Sequence, residues 1–285
     1  MESKGAVVSE LQLPCGTCDG CRLERSRQWA VRCVHESQMH QENCFITLTY
    51  DDDHIPPGGN LRYKDFQNFM KRLRKKYTGK KIRFFMCGEY GNLRERPHYH
   101  ACLFGIDFGD KLYHKSTAAG SKIYTSNALS SLWTDKDGSP LGFCTVGIVN
   151  FDSAGYVARY VMKKRQGKDN REGYEYIDEK TGEIKYKEAE FIHMSLKPGV
   201  GHGFYIKYFS DIFPRDTVVI NGVEVKTPKY YYKKLKLDNE EVFATIAQKR
   251  TETGAKYRKD NTPERLKVKE KVQKARTKML QRELS

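Results

Sequence analysis

No apolar run in this chain approaches the ~20 residues that cross a bilayer as a helix, and Met1 to Glu10 lacks the apolar core of a secretory leader. Membrane insertion and export are therefore not expected. Without export, the eight cysteines are expected as reduced thiols in a cytosol, not as a disulfide framework. No glycine-rich phosphate loop ending in Gly-Lys-Ser or Gly-Lys-Thr occurs, which excludes a P-loop ATPase motor. No internal repeat is present, which argues against a solenoid. Negative charge is scarce: 36 Asp and Glu stand against 51 Lys and Arg, a net charge of +15. Such an excess favours a polyanionic partner, and nucleic acid is the first candidate. Aromatic residues are plentiful, at 12% with 18 tyrosines, which suits stacking on unpaired bases.

The most informative stretch runs from Gly88 to Gly105. Lys81 to Cys87 reads as a strand, Gly91 to Pro97 as a turn, and His98 to Phe104 as the returning strand. Residues i and i+2 of a strand share a face, so His98 and His100 point together and Tyr99 points away. Glu89 ends the partner strand within reach of the same patch. Two imidazoles and a carboxylate on one face make a compact site for a divalent metal. Mixed nitrogen and oxygen ligation with open positions fits Mg²⁺ or Mn²⁺, with zinc not excluded.

Upstream, Cys15-Gly16-Thr17-Cys18-Asp19-Gly20-Cys21 gives C-x2-C-x2-C before an arginine-rich helix from about Arg22 to His40. Three close thiolates suit zinc or an iron–sulfur cluster, with Cys33 or His35 as a fourth ligand. The alternative is a tight turn packed by reduced thiols. Arg22, Arg25, Arg27 and Arg32 with Trp29 form either a phosphate grip or a solvated face. Phe45 to Tyr50 alternates and reads as a strand. Asp51-Asp52-Asp53 reads as a solvated turn, and Asn60 is placed to cap the next helix. In that helix Phe66, Phe69, Met70, Leu73 and Tyr77 form a core stripe. Ser126 to Trp133 is a short helix, Gly142 to Val149 a strand, and Asp152 or Ser153 caps a helix carrying Tyr156 and Tyr160.

Further on, Gln166 to Lys187 reads as a mobile or hairpin insertion. Lys197 to Gly201 reads as a fixed turn, and Val218 to Val225 as a hairpin with Asn221-Gly222 at its tip. Residues 250–285 carry 12 Lys and Arg against 5 Asp and Glu and read as an extended or frayed basic helix. The order strand, helix, strand, strand, helix, strand, helix predicts an α+β fold. Its antiparallel sheet is of the split β-α-β type with helices on one face, followed by a basic helical C-terminal tail.

Tyr156 and Tyr160 lie four apart on a helix, so their hydroxyls project from one face, with Lys163 nearby. A tyrosine oxygen can attack a phosphodiester and form a covalent ester, although its ordinary pKa of ~10 makes it a reluctant nucleophile. A metal helps by polarising the phosphate and aligning in-line displacement.

These motifs together resemble the HUH endonucleases, metal-dependent replication initiators and relaxases. Phe45 to Tyr50 resembles their first motif, Pro97-His98-Tyr99-His100 their histidine–hydrophobic–histidine motif, and Glu89 their third ligand. Tyr156-x-x-x-Tyr160 resembles the two-tyrosine version. The cluster Cys15, Cys18 and Cys21, with Ser195 to Gly201, is more narrowly similar to the replication initiators of gokushoviruses, small single-stranded DNA phages. The resemblance implies that one tyrosine nicks the replication origin in replicative-form DNA and becomes linked to the 5′ phosphate. The second tyrosine later cuts the regenerated junction, and the released 3′ hydroxyl closes a single-stranded circle. Tyr156 and Tyr160 are then catalytic, and Glu89, His98 and His100 hold the metal. Arg159, Lys163 and Lys164 contact phosphate. A host helicase and polymerase are the expected partners, the host cytoplasm the expected location, and no membrane is involved. The expected division is 1–43 as a Cys/Arg-rich segment, 44–165 as the nuclease, 166–235 as an α+β extension and 236–285 as the basic tail. Two other readings stay open: a plasmid initiator or relaxase of the same superfamily, and a non-catalytic zinc-containing DNA-binding protein.

Overall fold

The computed structural model describes residues 14–91, 95–117, 120–163, 174–178 and 181–278, with the side chains of 160–163 outside that description. The first half of the chain contains α1 (Asp19–Ser37), β1 (Asn43–Thr49), α2 (Tyr63–Lys76), β2 (Arg83–Tyr90) and β3 (Pro97–Phe104). Next come β4 (Leu112–Ser116), β5 (Lys122–Thr125), α3 (Asn127–Ser130), β6 (Cys144–Gly147) and α4 (Phe151–Lys163). Then follow β7 (Glu175–Ile177), β8 (Ile184–Tyr186), β9 (Phe191–Met194), α5 (His202–Lys207) and α6 (Phe209–Ile212). The chain closes with β10 (Thr217–Ile220), β11 (Val223–Lys226), α7 (Lys229–Asp238), α8 (Glu240–Lys256) and α9 (Pro263–Lys278).

Seven strands form one sheet in the order β4-β5-β6-β1-β3-β2-β9. β3 pairs antiparallel with both β1 and β2, so β1 and β2 run parallel with β3 between them. Helix α2 makes the crossover, which is the split β-α-β arrangement expected from the order of elements. The amphipathic stripe of α2 explains its seat: Phe66, Phe69, Met70 and Leu73 are buried against Ile46, Leu48, Tyr99, Ala101 and Leu103. The opposite parity of the same strands supplies a second apolar face, with Phe45, Phe85, Cys87, Cys102 and Phe104. Because both parities are apolar, the sheet is covered twice. Ala30 and Cys33 of α1 and Ala154, Val157 and Ala158 of α4 add a layer on this second face. Small residues let α1 and α4 approach closely: the Ser26 hydroxyl donates to the Gly155 carbonyl at 3.4 Å.

Local details differ from the sequence expectations where a partner distant in sequence intervenes. Asn60 does not cap α2; its side-chain oxygen accepts from the Glu188 N–H at 2.7 Å. Neither Asp152 nor Ser153 is the cap of α4. Asn150 takes that place, accepting from the Ser153 N–H at 2.8 Å while the Ser153 hydroxyl accepts from the Asn150 N–H at 2.9 Å. That reciprocal pair is a capping box with serine in the place of glutamate. The expected short helix is present as α3, with Ser126 accepting from the Leu129 N–H. The Asn221-Gly222 tip turns β10 into β11, both residues at positive φ. The basic tail is helical in α8 and α9. The insertion before β9 contains the β7–β8 hairpin. No helix among the described residues is long and apolar enough to cross a membrane.

Candidate active site

β2 and β3 pair with Glu89 opposite His98 and Cys87 opposite His100. This register puts both imidazoles beside the carboxylate on the sheet face that α1 and α4 cover. The Nε2 atoms of His98 and His100 lie 2.7 and 3.1 Å from the same Glu89 Oε1. One ligand atom from each of the three residues fits within 4.8 Å of the others. Glu89 is 1% exposed and His100 3%, whereas the His98 side chain is 15% exposed, so the trio opens to solvent on the His98 side. Burial acts against ionising Glu89, but the hydrogen bonds and charge of His100 and His98 outweigh it and bring the carboxyl down to about 2. At neutral pH it is an anion in place.

The second nitrogen of each ring is also placed. His98 Nδ1 lies 3.0 Å from the Arg96 carbonyl. A carbonyl only accepts, so Nδ1 carries the proton and a neutral ring keeps its Nε2 lone pair for a cation. His100 Nδ1 lies 2.8 Å from the Thr47 hydroxyl, and the ring stacks on Phe45 at a 5.6 Å centroid separation. Thr47 is the cross-strand partner of His100. Both oriented imidazoles and an ionised carboxylate therefore fit a divalent cation. Neither Thr47 nor Phe45 stood out as a site residue in the sequence, because their role depends on the β1–β3 register. Tyr99 points to the other core, where its hydroxyl meets the Tyr50 hydroxyl and the Arg62 backbone, and burial pushes it up to about 12.

Helix α4 brings Tyr156 across this face. Its hydroxyl lies 3.4 Å from Glu89 Oε1 and its ring meets His100 edge-on, with centroids 5.0 Å apart. The Arg159 guanidinium sits 5.9 Å from the centre of the Tyr156 ring. Tyr160 and Lys163 belong to the same helix, but their side chains lie outside the described residues, as does Lys164 altogether. The structure thus brings together Glu89, His98, His100, Tyr156 and Arg159.

At the start of α1, Cys15, Cys18 and Cys21 form a second group whose ligand atoms lie within 4.8 Å of one another. Cys15 Sγ accepts from the Cys18 N–H at 3.3 Å. That backbone bond and the Thr17 hydroxyl help bring the Cys15 thiol down to about 6. The expected fourth ligands are elsewhere. Cys33 is buried beside Cys102, and burial drives its thiol well up. His35 is buried, stacked on Phe204 at 3.7 Å, and its Nδ1 lies 2.9 Å from the Tyr231 hydroxyl. Both are core residues because α1 turns this side of its surface inward. Asp51 and Asp52 are turn residues paired to His54 and Arg96.

Comparison with known proteins places these features. A family model for the replication-associated protein ORF2 matches residues 43–165. The chain is 35% identical over 239 residues to the replication-associated protein VP4 of Bdellovibrio phage phiMH2K, covering 80% of this chain and 69% of that protein. It is 31% identical over 257 residues to the replication-associated protein ORF2 of Spiroplasma virus 4, covering 85% and 72%. It is 30% identical over 227 residues to the replication-associated protein ORF4 of Chlamydia phage 1, covering 77% and 52%. No solved structure matches.

Proposed function

The chain belongs to the replication-associated proteins of phages, and from that premise we propose that it initiates rolling-circle DNA replication as an origin-specific, metal-dependent endonuclease with a tyrosine nucleophile. The observation that carries this reading is the convergence of the Tyr156 hydroxyl, His98 and His100 on one oxygen of Glu89. Binding alone would not require a tyrosine hydroxyl, two oriented imidazoles and a carboxylate in one place. Glu89, His98 and His100 hold the cation, Mg²⁺ or Mn²⁺ by the mixed donor set. When bound, the cation supplies polarisation of the phosphate oxygens and alignment of the displaced and attacking groups.

Tyr156 attacks the scissile phosphorus. The new bond forms from its phenolic oxygen as the bond to the 3′ oxygen breaks, and the 5′ phosphate stays on the tyrosine. The leaving oxygen takes up a proton and becomes a free 3′ hydroxyl, while the tyrosine proton is lost to water. The ester keeps the energy of the broken bond, so rejoining needs no ATP. Tyr160, one helical turn on, is the second nucleophile for the closing transfer. Arg159, Lys163 and Lys164 balance phosphate charge along α4. Residues 44–165 carry this nuclease, and a host helicase and polymerase supply strand separation and synthesis. Cys15, Cys18 and Cys21 hold a structural zinc that fixes the start of α1.

A labelled single-stranded origin oligonucleotide, incubated with Mn²⁺ or with EDTA and resolved on a denaturing gel, tests this. The expected result is a covalent protein–DNA band that requires Mn²⁺ and disappears when Tyr156→Phe and Tyr160→Phe are combined. DNA retention in a native gel with no covalent band on any origin substrate would overturn the nuclease in favour of a non-catalytic zinc-containing binder.

A further inference from the structure

A cavity of about 220 Å³ opens between α1 and α7, lined by Arg25, Trp29, Arg32, Lys229, Tyr230 and Lys233 together with Gln28. Its lining contains four cations and no carboxylate. Arg25, Lys229 and Lys233 are exposed, and none of the three makes an ion pair among the described residues. Lys229 and Lys233 are one turn apart on α7 and so share a face.

The back wall is rigid. The Arg32 guanidinium lies 4.0 Å from the centre of the Trp29 ring and 4.0 Å from that of Tyr230. Trp29 stacks in turn on Phe85, at 4.9 Å between ring centres. Arg32 Nε donates to the Val200 carbonyl at 2.9 Å. The Tyr230 hydroxyl lies so close to Gly199 that a Cβ there would meet it at 2.8 Å. The turn from Lys197 to Gly201 therefore fixes both Arg32 and Tyr230. Gln28 accepts from the Lys229 N–H at 3.0 Å and ties α7 to α1. Arg25 donates to the Gly16 carbonyl at 3.4 Å, so the cysteine turn borders the same cavity.

Position completes the case. Phe85 and Glu89 have the same parity on β2, so Trp29 is stacked over the sheet face that carries the metal ligands. Four residues at about 3.3 Å each put it about 13 Å along the strand from Glu89. The Trp29 ring is occupied on one side by Phe85 and on the other by Arg32. What the cavity leaves open is cationic, which suits a phosphate and not a stacked base.

We propose that this cavity clamps a backbone phosphate of single-stranded DNA a few nucleotides from the cut; the assignment rests on the nuclease reading above. Lys229 and Lys233 make the direct contacts, and Arg32, held in its stack, supplies a fixed positive wall.

Binding of the full chain in EDTA, where no cleavage intervenes, tests it with oligonucleotides extended on either side of the suspected cut from about 4 to about 16 nucleotides. On one side the wild type gains about tenfold in affinity as the strand reaches the cavity. The same gain appears when the added nucleotides are abasic, because phosphates are read. Lys229→Gln with Lys233→Gln cuts that gain to less than about threefold and lowers the slope of log K against log salt by roughly 1.4. Lys229→Arg with Lys233→Arg keeps the gain. An unchanged gain and slope in the glutamine variant would overturn the clamp, as would a gain that vanishes with abasic extensions. A chain that shows the length-dependent gain yet forms no covalent band with Mn²⁺ would refute the nuclease while leaving the clamp standing.

Discussion

Thr47 is the residue that holds His100 in place from behind: its hydroxyl meets Nδ1 at 2.8 Å while Nε2 faces the carboxylate. A partner of this kind orients the ligand ring and sets its tautomer. Thr47→Val keeps the shape and removes the hydroxyl. It is expected to weaken Mn²⁺ binding by about 10–100-fold, measured by isothermal titration of the full chain. Affinity equal to wild type would show that ring stacking on Phe45 suffices. The ligands themselves were legible from a short-range rule, since alternation along a strand places His98 and His100 together and Tyr99 apart. Thr47 was not, because strand alternation says nothing about which residue of another strand faces the ring.

Helix α4 decides whether the tyrosine reaches the site, and its packing on α1 depends on small side chains. Gly155 faces Ala30, and a Cβ added there would meet the Ala30 Cβ at 3.8 Å, an ordinary contact. Glycine in a helix interior costs about 0.5–1 kcal/mol relative to alanine. Gly155→Ala should therefore stabilise the chain by about that amount, read from the urea midpoint. A loss of stability would mean that the two helices cannot absorb one methyl group. The helix and its tyrosine spacing were readable from the sequence. Its cap was misplaced by two or three residues, because Asn150, Asp152 and Ser153 are all good capping types and only the backbone direction selects among them.

At the scale of the molecule, α1 joins the catalytic sheet to the C-terminal part. Its Val31 packs with Tyr205, Tyr231 and Leu235. Near its end the buried Glu36 accepts from Arg83 Nε at 2.5 Å and from the Gly201 N–H at 2.6 Å. Burial opposes ionisation of Glu36, but His40, the Gly201 N–H and Arg83 outweigh it and hold its carboxyl below the usual range. Glu36→Gln leaves the buried Arg83 charge uncompensated and should cost about 3 kcal/mol at neutral pH. Because the folded pKa is depressed, this stabilisation is fully present above the unfolded value of about 4.3 and is lost as pH falls through the folded value. Denaturant titrations of wild type and variant should differ by a constant amount above about pH 5 and converge below it. A difference that persists unchanged into acid would show that packing, not charge, is what the substitution removes.

The sequence by itself determined what local periodicity and bulk charge can carry. The hairpin that joins Glu89 to His98 and His100, the stripe of α2, the tyrosine helix and the attraction to a polyanion all depend on residues near in sequence or on total composition. Only the tertiary structure decided which distant groups meet. It set Thr47 against His100, brought Tyr156 to Glu89, turned Cys33 and His35 away from the cysteine turn, and closed α7 over α1. Those meetings follow from strand register and from burying two apolar sheet faces at once, and spacing along the chain encodes neither directly.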